Sequence, residues 1–353
     1  MTLESILLTH FSTYPNMLPC DAIKLVYQNH FGASHFITDK DNAYKRLKSE
    51  YDGCRKRDRL YTEDIGNGRS RIYLGGIKEY SLNTVNNIFC LNGTDSEANN
   101  ESFIEKCNII RSLALQGLAP FSLDEYDCFF NEYSKSGYPD VHHSERYRNS
   151  YLPSYRLISS YYLRFIRLIS EIDRLLTKKS RVIIAIDGDC ASGKSTLANA
   201  LSRIYPASVI HMDDFFLPPS IRTPERLAQP GGNVHYERFT AEVINNLGSK
   251  TGCFKYRKFD CGKMEYSTED ALVYPDSRLV IVEGSYSLRP DFISSYDLKV
   301  FLQVSQTDQL SRLKNRCASS ALISRFINEW IPMEKEYARY YRIEDLADFT
   351  YVT

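Results

Sequence analysis

Apolar side chains recur along this chain with two different spacings, and the spacing changes near residue 180. Before that point they fall three and four positions apart, which predicts amphipathic helices over 22–28, 41–51, 82–91, 103–115 and 124–134. Gly93 and Gly117 follow two of these segments as C-caps. Residues 71–74 read as a short strand, and the polar run 64–69 as a loop. The stretch 155–176 is apolar over a wide helical face and reads as a connecting helix with a core role. It leads into the boundary Thr177-Lys-Lys-Ser180.

Beyond the boundary, short β-branched runs alternate with helical segments. Strands are predicted near 181–186, 207–211, 278–283, 298–304 and 348–352, and helices near 194–204, 236–247, 306–317 and 319–340. Such alternation predicts an α/β fold, a doubly wound parallel sheet of the P-loop NTPase kind covered on both faces. The expected organisation is a mostly α-helical domain over 1–178 followed by the α/β domain over 179–353.

Composition narrows this picture only a little. A length of 353 residues suits two domains. Lys plus Arg equals Asp plus Glu, 44 each, so no basic excess argues for a nucleic-acid surface. The nine Cys are scattered without metal-ligand spacing, which fits reduced thiols and a cytoplasmic setting. No signal peptide is expected from the first thirty residues, and no apolar run approaches the length of a membrane span. The composition leaves homo-oligomerisation open.

The chemistry begins at Gly188-Asp-Cys-Ala-Ser-Gly-Lys-Ser-Thr196. This is the spacing G-x-x-x-x-G-K-[ST], which arises by chance in roughly one chain of this length in a hundred. It stands between a predicted strand and a predicted helix, as a phosphate-binding loop must. Gly188, Ala191, Ser192, Gly193, Lys194, Ser195 and Thr196 are the candidate nucleotide contacts. Lys194 would reach the β- and γ-phosphates, and the Ser195 hydroxyl would take a Mg²⁺ position.

Two further signals stand at predicted strand ends. His211-Met-Asp-Asp-Phe-Phe216 places Asp213 and Asp214 where open α/β sheets bind ligands. A carboxylate there could accept the proton of a hydroxyl that receives a phosphoryl group, although an Asp-Asp pair alone is commonly a solvated turn. Val280-Ile-Val-Glu283-Gly284 ends another strand on an acidic residue, the usual metal partner of a phosphate loop or else a strand-end charge facing water.

Met212-Asp-Asp-Phe-Phe216, Arg226-Leu-Ala-Gln-Pro-Gly-Gly-Asn-Val-His-Tyr-Glu-Arg-Phe239 and Ile281-Val-Glu-Gly284 resemble the uridine kinase/phosphoribulokinase group of P-loop kinases. The resemblance covers about 181–352. It implies an ATP- and Mg²⁺-dependent kinase acting on a small-molecule hydroxyl, with Asp213 as the activating base and Glu283 as the metal partner. A nucleoside is the first expected acceptor. Another hydroxylated metabolite, such as a sugar phosphate or a pantothenate-like alcohol, is the alternative, and a nucleotide-dependent regulator is a further one. The resemblance also implies lid arginines that close on ATP. Arg312 and Arg316, at i and i+4, are the matching pair, with Arg316 taken as catalytic and Arg312 as a nucleotide contact; the other reading is a solvated basic face. The 317–320 connection is short for a full lid. Asp214, Asn233, His235, Tyr236, Tyr256 and Arg257 are the candidate acceptor contacts. The Tyr-Asp-Phe order typical of uridine kinases is absent, so base specificity does not carry over.

The first half shows no enzyme motif. It carries two polar-aromatic clusters, His30 to His35 and His142-His-Ser-Glu-Arg-Tyr-Arg148 followed by Tyr151 to Arg156. These could bind a metal, a phosphate or an acidic ligand, or be hydrogen-bonded loops packed on helices. His30, His142 and Glu145 could share a metal only if the fold brings them together.

Overall fold

The computed structural model describes residues 2–33, 39–91, 99–248, 253–274, 276–316 and 319–353. Gly93, His35 and the first half of the 317–320 connection lie outside these residues. The chain divides into two compact units, Met1–Arg174 and Leu175–Thr353.

The first unit opens with α1 (Leu3–Thr13), α2 (Pro19–Phe31) and α3 (Lys40–Gly53). A hairpin of β1 (Thr62–Gly66) and β2 (Arg69–Tyr73) follows. Then come α4 (Leu82–Leu91), α5 (Asn100–Leu115), α6 (Leu123–Lys135) and α7 (Glu145–Tyr151). The unit ends with β3 (Tyr155–Ser159), α8 (Ser160–Arg164) and most of α9 (Ile166–Leu176). Gly117 terminates α5 as expected: with φ +71°, its N–H reaches the Ala114 carbonyl while Leu118 N–H reaches that of Leu113. The core gathers Ile6, Leu7, Ile23, Leu25, Val26, Phe103, Ile110 and Tyr126.

Two expectations for this unit are corrected. The run 64–69 is largely strand: Asn67 and Gly68, both at positive φ, form a two-residue hairpin turn. The stretch 155–176 is not one helix. Its first five residues pair antiparallel with β2, from Arg69↔Ser159 to Tyr73↔Tyr155, and the helix breaks again at Phe165. Aromatic and β-branched residues suit either period locally, and the open edge of β2 decides in favour of strand.

The second unit holds β4 (Val182–Gly188), α10 (Lys194–Ile204) and β5 (Ala207–His211). Short helices α11 (Pro224–Leu227), α12 (Tyr236–Phe239) and α13 (Asn245–Leu247) follow, the last two joined through one wide turn. An antiparallel hairpin, β6 (Phe254–Asp260) with β7 (Glu265–Val273), was not foreseen. After it come β8 (Leu279–Glu283), β9 (Leu298–Gln303), α14 (Gln306–Arg316), α15 (Ser320–Arg325), α16 (Ile331–Tyr341), α17 (Ile343–Leu346) and β10 (Phe349–Val352).

The main sheet is fully parallel in the order β10-β9-β4-β8-β5. The five predicted strands all form. β8 is buried at every position, as a strand covered on both faces must be. From β4 the chain crosses to the edge strand β5, returns to β8 beside β4, and then passes β4 to β9 and β10 on its other side, so the direction of crossing reverses at β4, and its carboxyl end is the switch point at which such sheets bind ligands. Residues 188–195 occupy that end.

Candidate active site

Steric constraint sets the loop after β4. Gly188 has φ +144°, and a Cβ there would lie 2.1 Å from the Leu302 carbonyl oxygen of β9. Gly193, at φ +94°, turns the chain into α10. Five successive carbonyls of the loop are each held by a side chain. Lys194 Nζ donates to Gly188 O at 2.8 Å and to Asp189 O at 2.9 Å. Gln309 Nε2 holds Cys190 O at 2.9 Å, an Arg312 guanidinium nitrogen holds Ala191 O at 3.1 Å, and Thr353 Oγ1 holds Ser192 O at 2.8 Å. The first-turn N–H groups of α10 have no intrahelical acceptor, and the helix dipole adds positive potential at the same point. The result is a rigid anion cradle.

Asp187, just ahead of the loop, is 2% exposed and accepts from Gly188, Tyr286 and Leu288 N–H and from the Tyr337 hydroxyl. Glu334 of α16 is a second organiser. One of its carboxylate oxygens accepts from Cys190 N–H at 2.8 Å, the other from Ser285 Oγ at 2.7 Å. Burial pushes its carboxyl above the ordinary range, and Lys194 opposes the rise.

The ends of β5 and β8 meet this cradle. Parallel register sets His211 beside Glu283. Both Glu283 oxygens lie 3.1 Å from Ser195 Oγ, and His211 Nδ1 lies 2.5 Å from one of them. That carboxylate hydrogen bond is the first cause holding His211 above its ordinary range. Asp213 follows on a short 3₁₀ turn and keeps solvent contact. Desolvation by the surrounding protein pushes its carboxyl up, Glu283 adds to the rise, and Lys194 and His211 pull it back. Lys194, Ser195, Asp213 and Glu283 therefore form one electrostatically coupled group.

The other predicted residues spread further. Thr196 is exposed on the first turn of α10, and the Ser192 side chain is buried under the loop. Arg312 grips the loop backbone and Thr353 Oγ1. Arg316 is exposed on α14, within electrostatic reach of Cys190. Asp214 accepts from Phe259 N–H and is tied to the β6–β7 hairpin. His235 sits 3.3 Å from the Tyr266 hydroxyl. Asn233 is 6% exposed, and its Oδ1 has no hydrogen-bond partner among the described residues. Arg257 is exposed on β6 with its guanidinium over Tyr266.

Two expected acceptor contacts are core residues here. Tyr236 is 6% exposed, with its hydroxyl on Gly231 O and Arg289 over its ring. Tyr256 is 2% exposed and packs on Phe215. Neither ring face is open to stack on a base. Sequence reasoning passed over His211, Asp187, Glu334, Gln309 and Thr353. Only the first two, flanking motifs already recognised, carried a local signal.

No protein-family model and no curated protein matches the chain. Solved structures do, over about half of it. A candidate fructose transport system kinase from Silicibacter sp. TM1040 is 25% identical, covering 52% of this chain and 97% of its own, with a TM-score of 0.42. A candidate uridine kinase from Bacillus stearothermophilus is 23% identical, covering 52% and 99%, with a TM-score of 0.39. D-glycerate 3-kinase from Cryptococcus neoformans var. grubii is 15% identical, covering 48% and 85%, with a TM-score of 0.34. Among the described residues no helix is long and apolar enough to cross a membrane. The second unit has the α/β phosphate-loop fold by its own parallel sheet and the glycine loop between β4 and α10, and the three structures named are ascribed to kinases.

Proposed function

We propose that the second unit is an ATP-dependent kinase that phosphorylates a hydroxyl of a small molecule. The observation that carries this reading is the convergence of Lys194, Ser195, Glu283 and Asp213 at three adjacent strand ends. A phosphate loop alone holds a nucleotide. A solvent-contacting carboxylate beside it adds a group that can receive a proton from a second substrate.

The donor set fits Mg²⁺: Ser195 Oγ and the Glu283 carboxylate are hard oxygen donors that already approach each other. A Mg²⁺ ion held there would neutralise phosphate charge during transfer. The chain's own groups do the rest. The loop amides and Lys194 fix the phosphates, and Asp213 orients the acceptor hydroxyl and takes its proton as the oxygen attacks the γ-phosphorus in line. Arg312 holds the loop in shape. Arg316, exposed and free of an ion pair in the described residues, is the cation we assign to the transferring phosphoryl oxygens. The acceptor site lies around Asp213, Asp214, His235, Asn233 and Arg257. With Tyr236 and Tyr256 committed to the core, a polar hydroxylated metabolite fits this site better than a stacked base.

Lys194→Ala tests the reading. Removing one preorganised cation should lower turnover by about 10²–10³-fold and weaken nucleotide binding measured by calorimetry. Unchanged nucleotide affinity and turnover would contradict it.

A further inference from the structure

The phosphate loop is shaped to receive negative charge, yet a carboxylate is held against it. Glu334 stands in the first turn of α16. One of its oxygens is placed to accept from the Cys190 N–H of the loop at 2.8 Å, and the other from Ser285 Oγ at 2.7 Å. A loop that binds phosphate through its amides has thus given one of them to an acid of the protein itself.

Docking α16 on the loop does not need this charge. Cys190, Leu313 and Ile331 form a small buried apolar cluster, with Ala191 and Phe326 packed against it. That cluster already joins α14 and α16 to the loop, without the desolvation that placing a carboxylate there costs. Ile331 and Glu334 lie at i and i+3, on one face of the helix. The apolar contact therefore keeps the carboxylate against the loop.

Asp187 gives the contrast. Its buried carboxylate accepts four hydrogen bonds, from Gly188, Tyr286 and Leu288 N–H and from the Tyr337 hydroxyl, which spread its charge over fixed donors. Glu334 accepts two, one of them from the loop. The loop's own cation is Lys194, whose Nζ donates to the Gly188 and Asp189 carbonyls. It is electrostatically coupled to Glu334, and also to Asp187, Asp189 and Asp213. One ammonium thus answers four carboxylates. A polyphosphate that takes up Lys194 leaves Glu334 less compensated and brings like charge beside it.

We propose that Glu334 is a positioning residue that limits the affinity of the loop for nucleotide. Its carboxylate holds the loop through Cys190 and at the same time repels the phosphate chain that the loop takes up. The repulsion grows with the number of phosphates. A kinase gains from this, because binding the ground state and the transition state equally well lowers KM without raising kcat, and a nucleotide held too tightly is slow to leave. The inference rests on the phosphate-loop reading of the second unit.

The test is calorimetric titration of the full chain with ATP, ADP and adenosine, without added Mg²⁺ so that the phosphate charge is not masked. Glu334→Gln keeps an acceptor oxygen for Cys190 N–H and offers an amide to Ser285 Oγ, but removes the charge. It should bind ATP about tenfold more tightly than the wild type, ADP more tightly by a smaller factor, and adenosine equally. A residue that only supports the loop would give the opposite sign, with weaker ATP binding in the less stable variant. Glu334→Met keeps the bulk and drops both acceptors. Its ratio of ATP to ADP affinity should exceed that of the wild type, a readout that loss of loop support alone does not move, and it decides if Glu334→Gln fails to fold. Equal or weaker ATP binding in a folded Glu334→Gln chain, or an unchanged ratio in Glu334→Met, would overturn the inference while leaving the phosphate-loop reading in place. A wild-type chain that binds no ATP would overturn that reading and the inference with it.

Discussion

At the scale of single residues, the candidate kinase site is an arrangement of charges that set one another's protonation. Asp213 titrates above the ordinary carboxylate value of 3.8, through desolvation and Glu283, while His211 opposes the rise. A base must be ionised to act, so activity should fall as pH drops through the raised Asp213 value, earlier on acidification than for an ordinary aspartate. His211→Gln removes one of the groups that lower Asp213, so the acid limb of kcat/KM should move to higher pH. An acid limb at ordinary aspartate values, or one that does not move in the variant, would contradict the coupling. The same geometry makes a stability statement. His211 is raised above 6.5 by its bond to Glu283, so that bond contributes fully below 6.5 and is lost as pH rises through the folded value. Little of this could be read in the sequence. Asp213 and Glu283 were found because they follow apolar runs. His211 was passed over because its role depends on standing opposite Glu283 in the neighbouring strand.

At the scale of elements, the phosphate loop is shaped by parts far from it in sequence. Beside the two carbonyls held by its own Lys194, three are held from α14 and residue 353, and its Cys190 amide from α16. Glu334→Ala would leave Cys190 N–H and Ser285 Oγ without their acceptor. We expect a loss of about 2 kcal/mol, the cost of buried groups left unpaired, seen as a lower denaturant midpoint. Glu334→Gln keeps one acceptor oxygen and should lose less. Equal losses in the two variants would show that packing, and not the hydrogen bonds, is what matters there. Strand and helix positions in this unit were legible because a parallel sheet buried on both faces leaves continuous apolar runs. The β6–β7 hairpin was not, because β7 has only one buried position and shows no apolar run. In the first unit Asn67-Gly68 was a turn signal already visible, but β3 could be recognised only beside its partner β2.

At the scale of the whole molecule, the structure divides into two units that each have a core of their own. The fold of the second follows from local patterns, and the motif names its ligand class. A buried polar network of the first half is assembled from residues at positions 10 to 155, a separation that no local period reveals. The account rests on phosphotransfer in the second unit, and Asp213→Asn addresses it most directly. Wild-type and variant chains would be screened with ATP against a panel of hydroxylated metabolites, with ATP affinity measured in parallel. The account predicts a phosphorylated product from the wild type, and in the variant a turnover lower by about 10²–10⁴-fold with ATP binding retained. Undiminished turnover in Asp213→Asn would contradict it.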